Sequence, residues 1–304
     1  MDGMTTFRSG FACVVGRPNA GKSTLTNALV GEKVAITSSR PQTTRHAVRG
    51  ILHRSDAQLV LVDTPGLHRP RTLLGERLNG VVRTTWTEVD VIGLCLPANE
   101  QVGPGDRFIA AELARLAKIP VLAVVTKTDL VPPDRVAAQL VAAQRLGEAV
   151  GLDLAEIVPV SAVSGEQVGL LADLLVARLP EGPPLYLDGE LTDEPTELRV
   201  AELIREAALE GVRDELPHSL AVTVDEMSRD DERDLTVIHA TVHVERQSQK
   251  PIVLGSGGSR LRDVGSAARR QVEALIGGRV YLDLHVAVLK DWQRDPKQLR
   301  RLGF

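Results

Sequence analysis

The chain has 304 residues, more than one hydrophobic core usually fills, so two domains are expected. Its 43% hydrophobic and 25% charged residues are globular composition, which excludes a disordered or fibrous protein. A net charge of −4 excludes a uniformly basic nucleic-acid binder, but the charge is uneven: residues 196–245 carry 5 basic and 13 acidic side chains, residues 246–304 carry 12 basic and 5 acidic.

In chain order, the opening "MDGMTTFRSGFACVVG" has no basic segment followed by a long apolar one, and no window reaches the apolar length of a membrane span. A cytoplasmic protein is expected. The apolar runs "FACVVG", "QLVLVDTPG", "DVIGLCL", "PVLAVVTKTD" and "EIVPVSA" read as strands buried on both faces, with helical patterns such as "GKSTLTNALVG" and "DRFIAAELARLAK" between them. The fold class that follows is α/β, a mostly parallel sheet over residues 1–180, with ligands expected at the loops after the strands. Cys13 and Cys95 lie inside two of these runs, which predicts reduced core residues and neither a disulfide nor a zinc site.

The proline- and glycine-rich stretch "LPEGPPLYLDGELTDEP" reads as a linker, bounded at 181–195. Residues 196–304 then follow a different order: a helix from about Thr196 to Glu215, strands near "SLAVTVDEM" and "LTVIHATVHVE", the segment "PIVLGSGGSRLRDVGSAARRQVEALIG", and a last strand "RVYLDLHVAVL". That is a small α+β unit.

Three turns of the first domain carry chemistry. "GRPNAGKS" matches G-x-x-x-x-G-K-[ST] between a strand and a helix, the context in which that spacing holds phosphates. Gly16, Arg17, Pro18, Asn19, Ala20, Gly21, Lys22, Ser23 and the following Thr24 form this candidate loop. Its glycines let backbone N–H groups converge on phosphate oxygens, Lys22 can reach the β- and γ-phosphates, and the Ser23 hydroxyl can ligate Mg²⁺. "DTPG" closes the second run: Asp63 is a metal candidate through water, Thr64 and Pro65 complete the turn, and the Gly66 N–H can sense the γ-phosphate. "TKTD" closes another, with Thr126 as a loop brace, the Lys127 stem along a base, and the Asp129 carboxylate accepting from the two N–H donors that guanine has and adenine lacks. GTP and GDP are the ligands expected.

Taken with "RPQTTR", "VSA", "DTPGLHRPRTLLGERLN", "LPEGPPLY", "ELPHS" and "VERQSQKPIVLG", these motifs resemble the Era family of translation-factor-class GTPases over nearly the whole chain. The resemblance implies a Ras-like P-loop GTPase domain followed by a type II KH domain that binds 16S ribosomal RNA in maturation of the 30S subunit, with peripheral attachment to the inner face of the cell membrane. It sets Thr43 and Thr44 in the first switch, with Thr44 reaching Mg²⁺, and Ser161 and Ala162 supporting guanine through backbone N–H.

Leu67 stands where Ras-type proteins have a water-orienting glutamine, and a leucine can orient no water, so slow intrinsic turnover is implied. His68 is a weak substitute. In related GTPases an asparagine at the Asn19 position helps hold K⁺, so K⁺ is expected as a stimulating ion; with Lys22 on the phosphates and Thr44 on Mg²⁺, Lys22, Asn19 and Thr44 are the catalytic candidates.

In the second domain Gly255, Ser256, Gly257 and Gly258 form a G-x-x-G loop, read as lying between a strand and a helix, of the kind that lets a KH backbone approach single-stranded RNA. Arg260, Arg262, Arg269 and Arg270 on the helix that follows supply charge for phosphates. The family usually has a lysine inside this loop, and its absence predicts weaker, less salt-dependent binding. Two other readings remain: an RNA-binding module with a structural, slowly hydrolysing guanine site, and a P-loop kinase or ATPase, which "TKTD" opposes.

Overall fold

The computed structural model describes residues 6–38, 43–67, 70, 72–116, 119–210 and 216–304. The chain forms two compact units, one built mainly of residues up to Asp193, the other of Glu194–Phe304 with the short segments Ser38–Thr43 and Pro70–Arg77.

The first unit contains β1 (Arg8–Val15), α1 (Lys22–Val30), β2 (Val48–His53), β3 (Ala57–Asp63), α2 (Leu73–Glu88), β4 (Val91–Pro97), α3 (Pro104–Ala114), β5 (Val121–Thr126), α4 (Pro133–Val150), β6 (Leu154–Pro159) and α5 (Val168–Val176). Its sheet runs β2-β3-β1-β4-β5-β6, all neighbours parallel except β2 with β3. Alternate residues of each central strand feed opposite cores, as the pleat requires. Ala12 and Val14 pack with Leu25 and Leu29 of α1 and Leu171 and Leu175 of α5. Cys13 and Val15 pack with Trp86 of α2, Ile109 of α3 and Leu146 of α4. Both cysteines are free and buried, and burial pushes the Cys95 thiol up to about 12.

The antiparallel edge strand β2 is absent from the sequence reading, because "VRGILH" mixes Arg49, Gly50 and His53 with its apolar residues and buries only Gly50 and Ile51 fully. The stretch read as a linker is tied to this edge as far as Asp193. Gln58 Oε1 accepts from the Leu185 and Tyr186 N–H groups at 2.6 and 2.9 Å, and Ile51 N–H donates to the Leu191 carbonyl at 2.9 Å.

The second unit contains α6 (Thr196–Leu209), α7 (Leu216–Ser219), β7 (Ala221–Asp230), β8 (Leu235–Val244), α8 (Lys250–Leu254), α9 (Ser259–Ile276), β9 (Val280–Val288) and α10 (Pro296–Arg301). β7 pairs antiparallel with β8, and β9 pairs parallel with β8 and forms one edge of the sheet. Val264, Ala268 and Val272 recur every four residues on α9 and are buried, the spacing of a helix laid on a sheet. Trp292 is fully buried, donates from Nε1 to the Ser219 carbonyl at 3.1 Å and stacks on Phe304.

Two expectations are corrected. The first helix ends at Leu209 rather than near Glu215, and 211–215 lie outside the described residues. "KPIVL" before the G-x-x-G loop is the helix α8, not a strand: Pro251 sits in its first turn, where a fixed φ suits a helix and no N–H is missed, and Val253 is buried.

Candidate functional site

The carboxyl ends of β1, β3, β5 and β6 lead into the loops that carry the nucleotide motifs, so parallel strand direction alone brings "GRPNAGKS", "DTPG", "TKTD" and "VSA" to one edge of the sheet. The phosphate loop is held tightly there. A Cβ on Gly16 would meet the Cys95 carbonyl at 2.9 Å, and one on Gly66 would meet the Pro18 nitrogen at 2.9 Å, so the "DTPG" turn can lie on the phosphate loop only through glycine. Asn19 takes a left-handed backbone (φ 62°) and is exposed at the crest of the loop, while Ala20 is buried. Gly21 is also left-handed and precedes the first turn of α1, whose N–H groups and positive dipole end suit an anion. Lys22 Nζ donates to the Arg17 carbonyl at 3.0 Å and lies 3.3 Å from the Gly16 carbonyl; burial lowers its pKa, with Asp63 opposing.

Three oxygen ligands converge beside this lysine. Asp63 Oδ2 accepts from Ser23 Oγ at 2.7 Å and from Thr44 Oγ1 at 3.0 Å, and the two hydroxyls are 2.9 Å apart. Asp63 Oδ1 is buried without a hydrogen-bond partner, and burial pushes the carboxyl pKa up against Ser23, Lys22 and Thr44. A hard-oxygen set with a buried, uncompensated carboxylate oxygen fits Mg²⁺. Thr64 Oγ1 donates to the Val14 carbonyl at 3.3 Å, which fixes the turn after β3. Thr43 is not in this cluster: its carbonyl accepts from the Arg205 guanidinium within the second unit. Thr24 lies in the first turn of α1, and Leu67 is buried in the apolar core beside Val62 and Val82, so it is unable to orient water. His68 and residues 40–42 of "RPQTTR" lie outside the described residues.

On the base side, Thr126 Oγ1 donates to the Ala20 carbonyl at 2.7 Å, the bracing bond expected of it. Lys127 has a left-handed backbone (φ 59°), and Asp129 Oδ1 accepts from Ser161 Oγ at 2.7 Å. Ser161 N–H, expected to support guanine, donates here to the Glu166 carbonyl at 3.1 Å, while its hydroxyl meets the Asp129 carboxylate. A side chain that bridges two loops is invisible to motif reading.

In the second unit a groove of about 300 Å³ runs between α9 and the edge strand β9, lined by Gly258, Arg262, Ser266 and Arg269 on one side and by Tyr281 and Leu284 on the other. Gly255, Gly257 and Gly258 all take left-handed φ values (72°, 57° and 77°), and the Cβ position of Gly257 and of Gly258 meets open space, so the backbone is open to a close-lying ligand. Arg262 and Arg269 face the groove. Arg260 does not line it: its Nη2 donates to the Ala208 and Glu210 carbonyls at 3.3 and 2.7 Å, at the end of α6. Arg270 is exposed on α9 but does not line the groove, and Ser256 sits in the single turn joining α8 to α9. Tyr281, 56% exposed, is the aromatic the sequence reading missed; the alternation of "VYLDLHV" is the signal that could have found it.

Residues 11–127 match the protein-family model described as a 50S ribosome-binding GTPase, and residues 215–293 match that of the KH domain. The chain is 69% identical to GTPase Era of Streptomyces coelicolor, covering 99% of this chain and 96% of that protein, and 67% identical to GTPase Era of Mycobacterium avium, covering 99% and 100%. Among solved structures it resembles Era in complex with MgGDPNP and nucleotides 1506–1542 of 16S ribosomal RNA, at 36% identity and a TM-score of 0.93 over 98% of this chain and 99% of that one. It also resembles an Aquifex aeolicus Era variant bound to GDP and aluminium fluoride, at 36% identity and a TM-score of 0.92 over the same shares.

Proposed function

The chain belongs to the Era family of GTPases, and from that premise we propose that it hydrolyses GTP to govern how its KH domain holds 16S ribosomal RNA while the 30S subunit matures. The observation that carries the nucleotide half is the meeting of Ser23, Thr44 and Asp63 beside Lys22. The backbone N–H groups of residues 16–23 would cradle the β- and γ-phosphates, Lys22 would leave the Gly16 and Arg17 carbonyls for phosphate oxygens, and Asp129 would accept from guanine. Ser23, Thr44 and Asp63 would hold Mg²⁺, which when bound neutralises charge on the transferring phosphoryl group. Leu67 supplies no water-orienting group, so intrinsic turnover is slow. Asn19 carries an amide oxygen at the exposed crest of the loop, suited to a K⁺ ion, which would supply the positive charge that an arginine gives elsewhere.

The RNA half rests on the groove at Gly258, Arg262, Arg269 and Tyr281, in the segment where basic residues outnumber acidic 12 to 5. The GTPase family model carries a 50S description, but the solved relative holds 16S RNA, and 16S RNA is the ligand we assign. We infer cytoplasmic residence with peripheral attachment to the inner face of the cell membrane, as the family resemblance implies; among the described residues no helix is long and apolar enough to cross a membrane.

The test is phosphate release from GTP with and without purified 30S subunits, alongside titration of a single-stranded oligonucleotide from the 3′ end of 16S RNA over a salt series. Faster release with subunits, and a salt slope reduced by about one unit in Arg262→Ala, are expected. Turnover indifferent to subunits would favour an RNA-binding module with a structural nucleotide site.

A further inference from the structure

Arg17 is the second residue of the phosphate loop, yet its guanidinium is committed to α3. Nε donates to Asp106 Oδ1 at 2.7 Å, and Nη1 lies 3.1 Å from Glu100 Oε2. The Asp106 side chain is 1% exposed, and its second oxygen accepts from the Gly103 N–H at 2.8 Å, closing the first turn of α3. One carboxylate therefore caps a helix and grips the loop. Gly105 makes room for the grip, since a Cβ there would stand 2.8 Å from Arg17 Cδ. At the other end of the same residue, the Arg17 carbonyl accepts from Lys22 Nζ at 3.0 Å and from the Ala20 N–H at 3.2 Å. Arg17 thus joins the N-terminus of α3 to the backbone of the loop.

We propose that Arg17 and Asp106 are positioning residues for the GTPase reaction: their ion pair, built on a buried carboxylate, clamps the phosphate loop to α3 and so sets how long the nucleotide is retained. The physical argument is preorganisation. A loop whose N–H groups must converge on one polyphosphate loses affinity when it has other conformations to leave, and a clamp outside the ligand removes them. The bond to Asp106 is charge-assisted and its carboxylate is buried, which makes it directional; the contact to Glu100, 42% exposed, contributes little. Lysine in place of Arg17 would keep the charge but lose the fork that reaches both carboxylates.

Two substitutions separate positioning from folding. Asp106→Asn keeps an oxygen for the Gly103 N–H, so the helix cap survives, but turns an N–H group toward Arg17 Nε. Gly105→Ala leaves Asp106 untouched and adds a helix-favouring residue to the first turn of α3, while its methyl group displaces the Arg17 stem. Each is measured by thermal unfolding of the nucleotide-free protein, by release of fluorescent GDP, and by steady-state GTP hydrolysis. Expected are an unfolding temperature within about 3 °C of the parent, GDP release and KM for GTP both raised about tenfold, and kcat within about twofold. Arg17→Lys should fall between parent and Asp106→Asn. Unchanged GDP release and KM in both variants overturns the proposal. So does a loss that tracks lowered unfolding temperature, which would make the pair merely structural, or a fall in kcat at constant KM, which would assign Arg17 to the chemical step.

Discussion

Thr126 Oγ1 donates a 2.7 Å hydrogen bond to the Ala20 carbonyl, so the strand end that leads to Asp129 is fastened to the "GRPNAGKS" loop. Both residues are buried. Thr126→Val keeps the shape but leaves that carbonyl unpaired, a loss of about 1–3 kcal/mol shared between folding and nucleotide binding. GDP should leave roughly five- to tenfold faster, and Thr126→Asn, whose amide can also donate, should restore retention. Stopped-flow release of fluorescent GDP checks this; a parental rate in Thr126→Val would show that the bond does not tie the two loops. Preference for guanine over adenine should not change, since the brace does not touch the base.

Guanine selection is expected to rest on Asp129, whose carboxylate the Ser161 hydroxyl orients at 2.7 Å. In Asp129→Asn an amide donor replaces an acceptor opposite the base, and preference should pass from guanine to xanthine nucleotides. Ser161→Ala should weaken GDP binding about threefold to tenfold without altering that preference, as loss of one orienting hydrogen bond. Competition binding with GDP, XDP and ADP reads both outcomes, and retained guanine preference in Asp129→Asn would remove Asp129 from the base site.

The parts of the site visible in the sequence are those in which ligand chemistry dictates residue type and spacing. Gly16, Lys22, Ser23, Asp63 and Asp129 stand at or within a few residues beyond the ends of strands that are largely buried and so read as unbroken apolar runs. What escaped notice depends on partners distant in the chain. β2 is an antiparallel edge strand with exposed and half-buried residues, so its pattern carries little signal. Residues 181–193 have the composition of a linker, but Gln58 pins Leu185 and Tyr186 from 127 and 128 residues away. α8 looked like a strand because four apolar or proline residues in a row fit either structure, and only the short turns on both sides decide it. Arg260 belongs by sequence with Arg262 and Arg269, yet about half a turn of helix phase sends it to the carbonyls ending α6 instead.

Asn19 sits at the crest of the phosphate loop, and Leu67 is buried where a water-orienting side chain would be needed. The charge that builds during hydrolysis is then best met by a monovalent cation beside the loop. GTP hydrolysis should run about tenfold faster in K⁺ than in Na⁺ at equal ionic strength, an effect near 1.4 kcal/mol. Asn19→Ala should bring the two rates together with little change in GDP affinity. Rates equal in both salts, or a K⁺ preference surviving in Asn19→Ala, would rule out this role.

His243 gives the second unit a dependence on pH. It is 6% exposed on β8; its Nε2 lies 2.9 Å from Thr223 Oγ1, and its Nδ1 is buried with no hydrogen-bond partner. Burial lowers its pKa below the usual value of 6.5; Asp225 on β7 opposes this, while Arg301 on α10 and His285 on β9 reinforce it. Between the folded and the unfolded pKa the unfolded chain binds the proton and the folded one does not, so stability falls as pH falls. The contribution is full above about pH 6.5 and is lost as pH drops through the depressed folded value. Urea unfolding read from Trp292 fluorescence, with Trp86→Phe to remove the other indole, should lose more midpoint between pH 7.5 and pH 5.5 in the parent than in His243→Gln, whose amide can bond Thr223 without titrating. Equal losses in the two proteins would show that His243 is not the group responsible.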